Sequence, residues 1–146
     1  MKKSFTMLEL IFVIVIIGIL AGVALPRLFT GVSDAKIAKA KTQIATIKSG
    51  ISSMYSKNIL GGLSDTCPNL EQKIDDSTVF ENVVDGGIAE NQNDVNWTFD
   101  GNDSKEINYT LKIDNAEANF TYELNASKGC PFNCVSDTDG LCDKLR

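Results

Sequence analysis

From Leu10 to Leu25 the chain carries no charged or polar side chain, and this run starts almost at the N-terminus. Met1-Lys2-Lys3-Ser4 forms a short basic leader, and Phe5 to Leu8 extends the apolar stretch with Thr6 as its only polar residue. About 20 such residues span a bilayer as a helix. An ordinary secretory signal has a shorter apolar core followed by a small-residue cleavage site. Here the run reaches Leu25 and passes into a patterned helix with no such site. A buried core helix fits least, because the run is too long and too apolar. A signal anchor fits best, with Lys2 and Lys3 holding the N-terminus in the cytoplasm.

Glu9 does not belong in a plain anchor. A carboxylate within an apolar segment costs on the order of 3 kcal/mol even on mild insertion scales, so it is usually paired and functional. The bland alternative is that Glu9 sits near the cytoplasmic interface and reaches water. Its surroundings carry more information. Ser4-Phe5-Thr6-Met7-Leu8-Glu9-Leu10, followed by Ile16-Ile17-Gly18-Ile19-Leu20-Ala21 and Pro26, resembles the N-terminus of type IV pilins and type II secretion pseudopilins. The likeness covers about 25 residues, with Phe5, Glu9, Gly18 and Pro26 in register.

That resemblance implies cleavage by a prepilin peptidase between Ser4 and Phe5, and N-methylation of Phe5. The family usually has Gly where this chain has Ser4, and a small residue still suits a peptidase pocket. It also implies that Glu9 neutralises the N-terminal amine of a neighbouring subunit in a filament. Opposite charges in an apolar medium attract strongly, and either alone is heavily penalised. Pro26 removes a helical hydrogen bond and Gly18 and Gly22 weaken the helix locally, so the stretch is suited to loosening as a subunit leaves the bilayer.

Beyond Pro26 the pattern changes. Ile37, Ala40, Ile44, Ile47, Ile51 and Met54 recur three or four residues apart, separated by Lys36, Lys39, Lys41, Gln43 and Lys48. That is one apolar stripe on an amphipathic helix, stopped near Leu60 by Gly61-Gly62. A continuous helix from Phe5 to Lys57 would be roughly 80 Å long. The stripe reads either as a coiled-coil seam or as the face on which the protein's own sheet packs.

Residues 63–94 read as irregular, with a short helix over Thr78–Val84, where Thr78 and Glu81 have capping-box spacing and Gly86-Gly87 follows. Three alternating segments come next: Trp97 and Phe99; Ile107, Tyr109, Leu111 and Ile113; Ala118, Phe120, Tyr122 and Leu124. Separated by polar turns, they read as an antiparallel meander with one buried face. The fold class is therefore α+β. A long N-terminal helix on a small antiparallel sheet is also the pilin fold that the resemblance implies. The expected organisation is a leader over 1–4, a transmembrane and assembly helix over 5–29, an amphipathic half over 30–60 and a globular head over 61–146.

The tail from Asn125 shows no periodicity but holds three of the four cysteines, Cys67, Cys130, Cys134 and Cys142. An even cysteine count outside the apolar segment suggests disulfides and an oxidising compartment. A head this small gains from them, since it buries only roughly 60% of its unfolded surface. Four cysteines permit three pairings and the spacing does not choose. The expectation taken here is Cys67–Cys130 with Cys134–Cys142, the first tying the loop after the long helix to the end of the sheet. A zinc site competes poorly: there is no histidine and no paired C-x-x-C spacing. No cofactor is expected, with one exception. Asp137, Asp139 and Asp143 could supply oxygen ligands to calcium, and type II secretion pseudopilins resemble this chain in having a C-terminal calcium site. The alternative is a solvated acidic turn.

Charge is divided along the chain. Residues 1–59 carry eight Lys/Arg against Glu9 and Asp34, a net of +6, and residues 60–146 carry a net of −11. The acidic head is a poor match for phosphate backbones, so it is not expected to bind nucleic acid directly. Without histidine, a nucleophile–base pair or a phosphate-cradling loop, nothing suggests an enzyme.

All five Asn-x-Ser/Thr sites, at Asn96, Asn102, Asn108, Asn119 and Asn125, have an acid two residues earlier: Asp94, Asp100, Glu106, Glu117 and Glu123. That resembles the extended acceptor sequence of bacterial oligosaccharyltransferases. The solvent face of a strand also lists polar residues two apart, which covers Asn96, Asn108 and Asn119 but covers Asn102 and Asn125 poorly.

These features imply a structural subunit that polymerises helix-to-helix into a type IV pilus or pseudopilus for adhesion, DNA uptake or secretion. Within the family, Ala24-Leu25-Pro26 through Asp34-Ala35 to Tyr55-Ser56 looks most like mannose-sensitive haemagglutinin-type pilins and related competence or secretion pseudopilins. The Trp-Gly-x-Pro-Tyr-type segment of the major secretion pseudopilin is absent. The implied partners are further copies, related pilin subunits, the prepilin peptidase, an inner-membrane assembly platform, and the membrane before assembly. The implied locations are the inner membrane first, with one pass and the N-terminus cytoplasmic, then a periplasmic or cell-surface filament. The alternative is a signal-anchored periplasmic binding module that never polymerises and needs neither cleavage before Phe5 nor Glu9.

Overall fold

The computed structural model describes residues 6–63, 66–71, 77–90, 92–102 and 105–146, without the side chains of 25–32 and 102. Ser4 and Phe5 lie outside the described residues, and so does the side chain of Pro26. The chain divides into two units, Met1–Ala35 and Lys36–Arg146. One helix, α1 (Met7–Leu60), contributes to both.

In the first unit the Met7–Ala24 stretch of α1 is apolar on all sides apart from Glu9. Over Met7–Ala24 the mean hydropathy is 2.8 and none of the segment is buried, so it is long and apolar enough to cross a membrane. Thr6 opens it: its hydroxyl accepts from the Glu9 N–H at 3.3 Å and its carbonyl from the Leu10 N–H at 3.2 Å. A side-chain oxygen satisfying an N–H of the first turn is an N-cap.

The second unit begins with the striped half of α1. Ala40, Ile44, Ile47 and Ile51 are buried, and Ile37 packs against the same core. The protein's own sheet therefore takes the stripe, and the coiled-coil reading gives way. After Leu60 the N–H of Leu63 donates to the Asn58 carbonyl (2.8 Å) and that of Gly62 to Ile59 (3.0 Å), with Gly62 at φ 83°. This pair of bonds, with a left-handed residue between, is a Schellman stop, and glycine takes that φ without a Cβ clash.

The sheet runs β3 (Asn96–Asn102), β4 (Glu106–Ile113), β5 (Ala116–Glu123) and β6 (Phe132–Asp137), each antiparallel to the next. The three anticipated strands are present, and β6 is a fourth that alternation did not reveal. A bulge explains the miss. Phe120 pairs with Cys134 but Asn119 pairs with Ser136, leaving Val135 as an extra, exposed residue. One extra residue reverses which face the following side chains occupy, so period two breaks mid-strand. A short helix, α2 (Leu141–Lys144), ends the chain and buries Leu141.

Thr78–Val84 is a correction. Thr78–Val79 is a strand, β1, paired with β2 (Ile88–Ala89), and no helix forms over the segment. Thr78 and Glu81 side chains do hydrogen-bond, as capping-box spacing allows. The intervening Phe80, however, sits at φ 63°, which no right-handed helix contains. A non-glycine residue there costs about 1 kcal/mol or more. Burial of the ring offsets it: Phe80 is fully buried, edge-on to Trp97 at 5.3 Å and 4.4 Å from Tyr109.

Candidate assembly site

Glu9 occupies the first turn of α1, exposed, on a segment whose other side chains from Met7 to Ala24 are almost all apolar. Nothing in the chain's described residues covers Leu8, Ile11, Phe12 or Val15. A carboxylate near the N-terminal end of a helix also interacts favourably with the macrodipole, so its position is locally stable as well as conspicuous. Gly18 and Gly22 have nothing within 4 Å of an added Cβ, leaving a smooth, approachable helix surface. Such a segment satisfies its own backbone and offers only apolar contact and one acid.

In the head, polar atoms on buried rings are tied to main chain, to the helix or to the Glu71 carboxylate. Tyr109 donates to Glu71 Oε1 (2.7 Å), which also accepts from the Phe80 N–H (3.2 Å). Burial pushes the Glu71 carboxyl above its usual range, with those two hydrogen bonds opposing, and pushes the hydroxyls of Tyr109 and Tyr122 up as well. Tyr122 donates to the Pro68 carbonyl, Tyr55 to Ala126 and the Trp97 indole N–H to Gln43 Oε1. Glu71, Phe80 and Gly50 were not singled out in the sequence. A Cβ on Gly50 would lie 1.9 Å from the Val83 carbonyl oxygen, so glycine is what admits the 80–84 turn onto α1. A lone glycine inside the helical stripe was the available signal.

Disulfides join Cys67 to Cys130 and Cys134 to Cys142. The first links the segment after α1 to the start of the β6 region, and the second fastens α2 to β6. The acidic tail carries Asp137, Asp139 and Asp143, the residues anticipated for calcium. Asp137 Oδ2 accepts from the Cys142 N–H (2.6 Å), and Asp143 pairs with Arg146 (3.5 Å). Asp137, Asp139 and Asp143 are not gathered around a common point. Among the described residues, no group of three or more His, Cys, Asp or Glu is placed to hold a metal ion. The Asp137 carboxylate thus satisfies an N–H in the first turn of α2.

Residues 1–25 match the family model of the prokaryotic N-terminal methylation motif. The chain carries the prepilin signal of type IV pilins and pseudopilins. No curated protein and no solved structure matches the chain. The motif supports a type IV pilin-like protein of the kind that prepilin peptidase processes, and with the apolar helix it fits an inner-membrane anchor. The α+β layout of helix and antiparallel sheet is consistent with the pilin fold. Among the sites anticipated for glycans, Asn108 and Asn119 lie on β4 and β5, Asn96 and Asn102 begin and end β3, and Asn125 follows β5.

Proposed function

We propose that this protein is a structural subunit that polymerises through its N-terminal helix into a type IV pilus-like filament. The observation that carries the reading is the prepilin signal, set on an apolar helix that no described residue covers. The peptidase cuts between Ser4 and Phe5 and the new amine of Phe5 is methylated. Before assembly the subunit spans the inner membrane once, with the head outside the cytoplasm, where its disulfides persist. In the filament, Glu9 pairs with the Phe5 amine of a neighbour. Each charge removes the other's cost of burial, and the pair fixes the axial register of docking.

Filament yield from a Glu9→Ala variant tests this. Insertion is maintained or improved, because an apolar helix gains by losing a charge. Filaments drop to a small fraction of wild type while the processed subunit accumulates in the membrane. Normal yield would remove Glu9 from the docking mechanism. A second reading, a membrane-anchored module that never polymerises, draws on the same apolar helix, whose first turn Thr6 caps at the Glu9 N–H. It needs neither cleavage before Phe5 nor Glu9.

A further inference from the structure

We propose that Asn125 is an N-glycan attachment site of the folded head, used by an oligosaccharyltransferase that reads an acid two residues before the asparagine. The inference does not depend on polymerisation. It requires only that the head face the compartment outside the inner membrane.

Five asparagines carry the acid-x-Asn-x-Ser/Thr pattern, but the fold does not present them alike. A transferase must accept the asparagine and the hydroxyl two residues on together, from a chain bent into its groove. β4 and β5 are the two inner strands of the sheet, hydrogen-bonded on both edges. Side chains two apart on a strand lie on one face but roughly 7 Å apart, and they bond to neighbouring strands instead of to each other. That is the arrangement of Asn108 and Asn119. Asn108 Oδ1 accepts from Thr121 on β5 (3.1 Å), and Asn119 Oδ1 accepts from Thr110 on β4 (2.9 Å). Asn119 Nδ2 also donates to Ser136 on β6 (3.0 Å). Delivering either carboxamide to an enzyme means opening the sheet.

Asn125 is different on each count. It has left β5 and is still extended (φ −121°, ψ 95°) when the chain turns into a 3-10 turn, Ala126–Lys128, closed by Gly129 at φ 77°. Across that bend the Ser127 hydroxyl donates to Asn125 Oδ1 at 2.6 Å, so the two side chains of the motif already touch. No described residue accepts from Asn125 Nδ2, the atom that would react. Glu123, the acid, is paired with Lys128 at 3.3 Å, and Lys128 is 63% exposed. With its lysine at the surface the pair is weak, so Glu123 leaves it for a basic group on an enzyme at little cost. Strand alternation does not account for the acid here, since Asn125 stands outside β5.

The sugar donor is a lipid-pyrophosphate-linked oligosaccharide. The lone pair of Asn125 Nδ2 forms a bond to the anomeric carbon, and the bond from that carbon to the pyrophosphate oxygen breaks. The oxygen keeps the electron pair, the lipid pyrophosphate leaves, and one amide proton passes to solvent.

The test is expression of the full chain in a host with such a transferase, shown active on a control acceptor peptide, followed by intact mass and glycopeptide mapping. A mass increase by one glycan unit that maps to Asn125 is expected. Asn125→Gln, Glu123→Gln and Ser127→Ala should each lose it, and Ser127→Thr and Glu123→Asp should keep it with unchanged circular dichroism. Bare polypeptide mass alongside a glycosylated control would overturn the proposal. So would glycans mapping to Asn108 or Asn119, since transfer would then precede folding and the turn would select nothing.

Discussion

Within α1, Met7–Ala24 and Ala40–Ile51 are both helical and both rich in Ile, Leu, Val and Ala, yet they meet opposite fates. The first is apolar on every side and entirely uncovered; the second confines its apolar residues to one stripe and has that stripe buried. The second carries its cover in the same chain, as β3 to β6 with residues 66–71 and 77–84. The first must find cover elsewhere, in lipid or against another helix. A helix wholly apolar is paid for only by surroundings that are apolar all round, whereas a striped helix needs one packed face. Polar attachments follow the same division. Lys36 bonds to Asp114, and Lys39 lies 2.9 Å from Asp94, which holds the Asp94 carboxyl below its usual range.

The comparison is sharpened most by the longer disulfide. Replacing Cys67 and Cys130 by Ser frees a loop spanning 63 residues and should cost the head about 4 kcal/mol in chemical denaturation. Loss of Cys134–Cys142, which spans 8, should cost about 2.5 kcal/mol. Near-equal losses would mean that loop length does not set the effect. Ile47→Ala, at a fully buried position, should cost about 3 kcal/mol. Ile14→Ala, 59% exposed, should leave head unfolding in detergent unchanged. Head destabilisation by Ile14→Ala would break the distinction between the two helix regions.

Gly50→Ala comes next. Its Cβ meets main chain, which cannot swing aside as a flexible side chain would, so a loss of about 2 kcal/mol is expected on thermal or denaturant unfolding. Wild-type stability would show that the 80–84 turn moves freely off α1.

Much of this was legible in the sequence because it rests on periodicity. The stripe from Ile37 to Ile51 and the inward positions of β4 and β5 repeat at the helical or strand period, and the glycine pair Gly61-Gly62 marks where the first period stops. What was missed breaks a period. Val135 interrupts β6, and Phe80 enters the core from a left-handed backbone that no pattern announces. Phe99 alternates correctly with Trp97 yet remains 38% exposed near the Gly101 bulge. In the N-terminal segment, by contrast, one acid in an apolar run carried the information, and local chemistry made it readable.

The smallest effect concerns Glu71. Its folded-state pKa is raised above the ordinary 4.5, so the folded head binds its proton more tightly than the unfolded chain. This contribution to stability is fully present below pH 4.5 and is lost as pH rises through the folded-state value. Glu71→Gln keeps an acceptor for Tyr109 and removes the titration. Its stability should equal or slightly exceed wild type at pH 7, with that segment of the pH profile flattened. An unchanged profile would assign the dependence to other groups.

The sharpest question is whether the uncovered helix is processed for assembly or simply anchors the head. Intact mass and N-terminal sequencing of protein from sheared surface filaments answers it. The mature chain should start at Phe5, carry one added methyl group and show all four cysteines oxidised. Recovery only from the membrane fraction, with Met1-Lys2-Lys3-Ser4 still attached and Phe5 unmethylated, would show a plain anchor in place of a filament subunit.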